Sequence, residues 1–382
     1  MEINNPSPTQ TFIRLYYVCM KRFFLLLCLF FVFAPNVHAE GLAVEKTNTQ
    51  IRAEIIEITS VRSISTTMKA YEFSAKSETG ELFDVKTEDS IPDGIPIHLK
   101  VGGKVFLQKI DSDPPQVYFE DVVRTGALWG IAILFIVLSL VIGLKRGFWS
   151  LIGLGTTLLV LFGFVFPMIM RGHDVLLVTI IGSIVILAVN MHIAHGFRRE
   201  SFLAFVSTVI GLFCIWFFAH LFTAWTNITG TGSEDVMLLV GDAPIEILTI
   251  RLFMAGVILG AVGVLDDVTI SQTEIIHELI KTNPQLTRKQ LFLAAMRIGR
   301  HHIASTINTL VLVYAGASMP VLILFLYHSG NVSSFLNSEV ITEEIVRTFA
   351  GTAALILTVP IATFIATYGY NHKTLDTPHK HT

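Results

Sequence analysis

The sequence predicts an α-helical polytopic membrane protein of about seven transmembrane helices, with a small extracytoplasmic β-barrel-like N-terminal domain of OB or SH3 type. Three observations carry this. The chain is 52% hydrophobic and only 15% charged, with a mean hydropathy of +0.63, whereas soluble domains carry about a quarter charged residues. The deficit falls after Arg124, so the two parts of the chain read as having two solvents, water first and lipid second. Short alternating runs fill residues 50–124, and apolar stretches of spanning length fill most of the remainder.

The N-terminal region 1–39 reads as an export signal. Lys21 and Arg22 precede an apolar run from Phe23 to Ala34, Pro35 breaks it, and Val37-His38-Ala39 supplies a small-residue cleavage site before Glu40. About a dozen apolar residues are too few to span ~30 Å of hydrocarbon. Met20 is an alternative start, and an uncleaved anchor that also uses Phe12–Met20 is the competing reading. Cys19 and Cys28 lie in this region, so after cleavage Cys214 alone would remain and no internal disulfide could form.

Residues 40–125 form the extracytoplasmic domain. Ile51–Ile58, Tyr71–Ala75, Glu81–Val85, Lys104–Leu107 and Val117–Phe119 alternate with the period of two expected of half-buried strands, separated by Gly, Pro, Asp and Ser. Five short strands suit an OB-like or SH3-like barrel, and a stabilising or partner-docking module is the expected role. The net charge of −3 gives no argument for nucleic acid.

The transmembrane domain, 126–370, holds seven apolar stretches at 127–144, 148–170, 175–194, 201–222, 250–267, 303–327 and 348–369. Backbone polar groups in lipid must pair within the segment, so each is read as a helix. Lys145-Arg146, Arg198-Arg199, the cluster Lys281, Arg288, Lys289, Arg297 and Arg300, and Lys373 and Lys380 fall in alternate loops. The other loops carry Glu234, Asp235, Asp242, Glu246, Glu339, Glu343 and Glu344 instead. The positive-inside rule puts the N-terminal domain outside and the tail 371–382 in the cytoplasm, as the export signal requires independently. Trp129, Trp149 and Trp225 are interface anchors on this reading.

One stretch concentrates candidate chemistry. Gly256 and Gly260 have the spacing that lets helix backbones approach, Gly263 extends it, and Asp266-Asp267 follow, with Thr269 and Ser271 three and four residues on. A carboxylate in or near a bilayer is costly and points to function, here ion coupling or transport. The bland alternative solvates the pair beyond the hydrocarbon or matches it to Arg297 or Arg300. Ser271-Gln-Thr-Glu274 reads as a capping box, so a new helix is expected there, and Thr287-Arg-Lys-Gln290 reads as a second one. Between them, the loop 272–300 is expected to form cytoplasmic amphipathic helices on the membrane surface. Ser305, Asn308 and Thr309 share one side of the next helix, either lining a path with the aspartates or bonding a neighbouring helix.

His192 and His195 are spaced i, i+3, so both can touch one metal, with His277, His301 and His302 as further candidate ligands; but no zinc-protease spacing is present, since His277-Glu278 has no second histidine, and helix-end histidines at the interface are the expected reading. A nucleophile elbow and a phosphate loop are absent from the sequence, so enzyme chemistry has no carrier and no cofactor is called for.

Two long motifs resemble the YibE/F-like family of bacterial multipass membrane proteins: Gly260-Ala-Val-Gly263-Val-Leu-Asp266-Asp267-Val-Thr269-Ile-Ser271-Gln272, and Met296 to Gly316 around Arg300-His301-His302 and Asn308. Lys145-Arg146-Gly147 and His195-Gly196-Phe197-Arg198 add to the likeness, which runs from about Gln50 to Tyr370. The resemblance implies a bacterial inner-membrane protein of unknown biochemical activity. It also implies that Asp267, rather than Asp266, holds the family's aspartate, and that His301 stands where an acidic residue is expected. The two readings carried forward are an ion-coupled transporter or channel-like protein for an ion or small solute, using Asp267, Asp266, Thr269, Ser271, Asn308 and Thr309, and a non-catalytic envelope scaffold or signalling component that binds a protein partner through its β domain.

Overall fold

The computed structural model describes residues 48–110, 116–242, 248–329 and 331–370. The export signal, its cleavage site, Met20 and the tail 371–382 lie outside the described residues. The chain divides into two compact units, Asn36–Gly143 and a helical unit beginning at Leu144.

The first unit is built on an antiparallel sheet of β1 (Asn48–Ser63), β2 (Lys69–Ser77), β3 (Leu82–Lys86), β4 (Lys104–Ile110) and β5 (Gln116–Val122). Their spatial order is β3-β2-β1-β4-β5. Four of these strands have Greek-key order, with β4 returning beside β1. Sixteen-residue β1 makes this possible by pairing β4 through Asn48–Glu54 and β2 through Ala53–Ser63. Bulges at Ile55/Glu57 and Ile58/Ser60 interrupt its register with β2, and such bulges bend and twist a strand. The sheet curls into a half-barrel around Ile55, Tyr71, Phe73, Val85, Val105, Leu107 and Phe119. Phe73 of β2 meets Phe119 of β5 edge-on, with centroids 6.3 Å apart.

α1 (Thr125–Val160) starts in this unit and is interrupted at Leu144, whose φ of 48° is left-handed. That conformation is costly for a branched side chain, and it falls immediately before Lys145-Arg146-Gly147. The two stretches expected at 127–144 and 148–170 thus belong to one broken helical run, Thr125–Met170. Its 46 residues amount to about 69 Å of helix, over twice a ~30 Å hydrocarbon core.

In the helical unit a π-helical turn, Leu161–Val165, leads into α2 (Phe166–Met170). There follow α3 (Val175–His195), α4 (Arg199–Thr226), α5 (Glu234–Asp242), α6 (Thr249–Thr282), α7 (Arg288–Ala317), α8 (Met319–Ser329), α9 (Val332–Leu336) and α10 (Glu339–Gly369). Among the described residues five helices are long and apolar enough to cross a membrane, or six if α7 and α8, bent by 64° at their junction, form one broken span. α6 is the hub, touching α3, α4, α7 and α10. Its apolar contacts run through Phe253, Val257, Ile258, Ala261 and Leu265.

Two expectations for the region after Asp267 change. Ser271 does not open a new helix, because α6 runs unbroken from Thr249 to Thr282. A residue already inside a helix has its backbone donors satisfied and nothing to cap. The second box is formed: the Thr287 hydroxyl accepts the Gln290 N–H, and the Gln290 side chain accepts the Thr287 N–H. The helix it opens is α7 itself, so the expected amphipathic surface segment and the sixth span are one continuous helix.

Candidate functional site

The candidate coupling residues do not converge. Asp267 is exposed, on the same side of α6 as the exposed Gly260 and Gly263. Asp266 is half-buried, and its Oδ1 is enclosed without a hydrogen-bond partner. Neither carboxylate forms an ion pair among the described residues, with Arg297, Arg300 or any other group. Thr269 turns instead towards α4, fully buried, its Oγ1 2.6 Å from that of Thr208 and also donating to the Leu265 carbonyl. Ser271 is half-buried, whereas Asn308 and Thr309 are exposed, with the Thr309 hydroxyl turned back on the Ser305 carbonyl at 3.0 Å. Gln272, which was not singled out in the sequence, accepts from Thr363 of α10 at 3.1 Å.

The three candidate packing glycines also differ from one another. A Cβ at Gly256 would meet Arg347 Nη1 at 3.0 Å, one at Gly260 would meet Tyr314 Oη at 3.0 Å, and one at Gly263 would meet nothing within 4 Å. The close helix approaches lie elsewhere: Gly211 of α4 against Thr358 and Leu265, Gly299 of α7 against Val359 and Gln272, and Gly369 of α10 against Leu203.

The histidines are dispersed. His192 is buried, with Nδ1 2.7 Å from the Ala188 carbonyl. His277 Nδ1 lies 3.1 Å from Glu200, and His195 Nδ1 lies 3.8 Å from Glu274. Among the described residues no three His, Cys, Asp or Glu side chains are grouped to hold a metal.

What the fold does assemble is a cavity of 570 Å³ between the π-helical turn and α2 on one side and α3, α5, α6 and α10 on the other. This is the size of small-molecule sites, and its wall is mainly apolar, as such sites are. Val165, Phe166, Leu239, Leu252, Leu259 and Val340 contribute, and Glu343, Glu344 and Arg347 bring charge to it from the early turns of α10. A Cβ at Gly182 of α3 would collide with Val165, so the π-helical turn that forms part of the wall is seated on a glycine.

The loop 229–232 organises the acidic end. Its N–H groups converge on two carboxylates one helical turn apart: Thr229 and Gly230 donate to Glu339 Oε1 at 2.6 and 3.1 Å, and Gly232 donates to Glu343 Oε1 at 2.9 Å. Gly230 has φ +82°, and a side chain there would strike the Thr249 carbonyl, so the loop needs glycine both for its turn and for its approach to α6. Successive N–H groups gathered in this way form an anion nest. Arg347 lies 3.5 Å from Glu344 through Nε, and its guanidinium lies over the Phe253 ring at 5.0 Å.

The sequence reading places Glu339, Glu343 and Glu344 among loop charges flanking the last span and gives Arg347 no role. Their four-residue spacing from 339 to 343 to 347 was the available signal, because it puts them on one face of a helix; α10 begins at Glu339, well before the apolar run. Neither Asp266 nor Asp267 lines the cavity, and Asp267 lies eleven residues beyond Gly256, about 16 Å along the axis.

A family model described as YibE/F-like protein matches residues 131–372. No curated protein matches the chain, and no solved structure does.

Proposed function

The chain belongs to the YibE/F-like family, and from that premise we propose that it is a carrier or channel-like protein of the bacterial inner membrane, with the cavity bounded by α6 and α10 as its solute chamber. The observation that carries the reading is the cavity itself: 570 Å³ with a mainly apolar wall, and Glu343, Glu344 and Arg347 at its charged end in the early turns of α10. Ionisable groups in or near a bilayer are costly and point to function.

In this reading the chain crosses the membrane seven times, with Thr125–Met170 contributing two crossings on either side of the Leu144 break and α7–α8 one bent crossing. The alternation of basic loops puts the half-barrel outside and the C-terminus in the cytoplasm. The loop 229–232 and the start of α10 then lie at the outer end, so the chamber opens outward. The half-barrel fits the OB-like alternative, a partly open five-stranded Greek-key barrel. Asp267, beside Asp266, is reserved for an ion-coupling step separate from the chamber; Thr269, Ser271, Asn308 and Thr309 are dispersed and do not join it as one site. The scaffold reading rests on a second observation, a 450 Å³ cleft of the β domain lined by Arg52, Glu54, Lys76 and Glu78, which could seat a protein partner.

Two-sided accessibility tests the choice without knowledge of the solute. In a background with the three cysteines replaced, Val340→Cys is exposed to a membrane-impermeant thiol reagent from either face of sealed vesicles. A carrier labels from both faces; labelling from one face or neither favours the scaffold. Proton flux in the same vesicles, wild type against Asp267→Asn, tests the coupling step.

A further inference from the structure

We propose that the chamber takes a small apolar molecule bearing one positive charge, a protonated amine or another organic cation, with Glu343 as its counter-ion. This rests on the solute-chamber reading above and adds the class of ligand.

The charges of the cavity do not balance. Arg347 is matched, since Glu344 stands 3.5 Å from its Nε and the Phe253 ring lies beneath it. Glu343 is only 7% exposed and forms no ion pair among the described residues; its bonded partner is the Gly232 N–H. Arg347 acts on Glu343 only from beyond ion-pair distance and is shared with Glu344; a buried carboxylate so incompletely compensated is unfavourable, and a cationic ligand relieves it where a neutral ligand would not.

The backbone makes room for both charges. A Cβ on Gly232 would lie 2.9 Å from the Glu343 carboxyl carbon, and one on Gly256 would lie 3.0 Å from Arg347 Nη1. An independent observation comes from α3. Thr179 lines the same cavity, is fully buried, and its Oγ1 has no hydrogen-bond partner. A ligand with N–H donors satisfies both Thr179 and Glu343, and the surrounding apolar wall covers its hydrocarbon part.

The test is equilibrium binding to the full-length protein in nanodiscs, with a radiolabelled phenylalkylamine as probe and the corresponding phenylalkyl alcohol as neutral competitor. Wild type is expected to bind the amine, with the alcohol displacing it poorly. Glu343→Gln keeps an acceptor for the Gly232 N–H and is expected to weaken amine binding about 10- to 100-fold, the usual effect of removing a charged hydrogen-bond partner. Val340→Trp, which fills the chamber, is expected to abolish binding if this cavity is the site. Equal affinity for amine and alcohol, or unchanged binding in Glu343→Gln, overturns the proposal. Amine binding without two-sided labelling of Val340→Cys upholds the ligand class while the carrier reading fails. Two-sided labelling without amine binding does the reverse.

Discussion

The same substitution at two glycines should act with opposite sign. At Gly211, an added Cβ falls 2.7 Å from Thr358 Oγ1, 3.0 Å from Thr358 Cγ2 and 3.2 Å from Leu265 Cδ1, where α4, α6 and α10 meet. Overpacking of this kind costs about 1–3 kcal/mol. At Gly263 the Cβ meets nothing within 4 Å. Replacing glycine by alanine inside a helix returns about 0.5–1 kcal/mol at either site. Gly211→Ala is therefore expected to lose about 0.5–2 kcal/mol and Gly263→Ala to gain up to about 1. Because the backbone contribution is common to both, the difference between the variants isolates the steric one. The assay is reversible denaturant unfolding of the purified protein in one detergent. Thr358→Ala removes the two nearest obstructing atoms, so it should rescue Gly211→Ala in a double-mutant cycle. Stabilities of the two glycine variants agreeing within about 0.5 kcal/mol, or an absence of rescue, would refute the packing of α4 against α10 described above.

Gly299→Ala should likewise destabilise, by about 0.5–2 kcal/mol after the same backbone gain, because its Cβ would lie 2.9 Å from Val359 Cγ1; Val359→Ala should relieve it in the same unfolding assay. The Thr208–Thr269 hydroxyl pair should show a coupling of only about 0.6 kcal/mol in a valine double-mutant cycle, the average for bonds between membrane helices, since one hydroxyl donates across the pair while the other donates its single proton to a carbonyl of its own helix, and the two arrangements compete. In the β domain, Lys86 holds the Glu72 carboxyl below its ordinary 4.5, and Arg124 holds Asp121 below its ordinary 3.8. A carboxylate with a depressed folded-state pKa contributes stability that is fully present above the ordinary value and lost as pH falls through the folded one. Protease resistance of this domain should therefore decline below about pH 4.5, and Glu72→Gln with Asp121→Asn should flatten the decline. Both pairs are largely solvent-exposed, so the effect is small and weakens with salt.

The architecture was legible because its signals are local or compositional. The strand runs at Ile51, Tyr71, Glu81, Lys104 and Val117 each fall on a strand of the half-barrel, since period-two burial is written in adjacent residues. The Thr287 box starts α7, again from neighbouring residues. The YibE/F-like motifs, read from Gly260 to Gln272 and Met296 to Gly316, fall within the matched region. What did not carry over is which side of a helix faces the bundle. Asp266 and Asp267 differ by one position and about 100° around the axis, and the motif alone does not say that Asp266 turns inward and Asp267 outward. The cavity was illegible for a related reason. Its charges come from α10, its two accommodating glycines from a loop and from α6, and its free hydroxyl from α3. None of these is conspicuous until tertiary packing brings them together, and the acidic residues carried the appearance of an ordinary solvated loop.

The unbroken length of α6 has a mechanical consequence. Thirty-four residues without a break form a rod of about 51 Å. Near one end it carries Gly256 beneath the Arg347 guanidinium. Near the other it carries Glu274 and His277, facing His195 of α3 and Glu200 of α4. A rod pivoting about its middle by about 5° moves its two ends about 2 Å in opposite directions, enough to part a contact at one end while closing one at the other. Any pivot of α6 would thus couple the cavity beside Gly256 to the histidine–glutamate contacts near its other end.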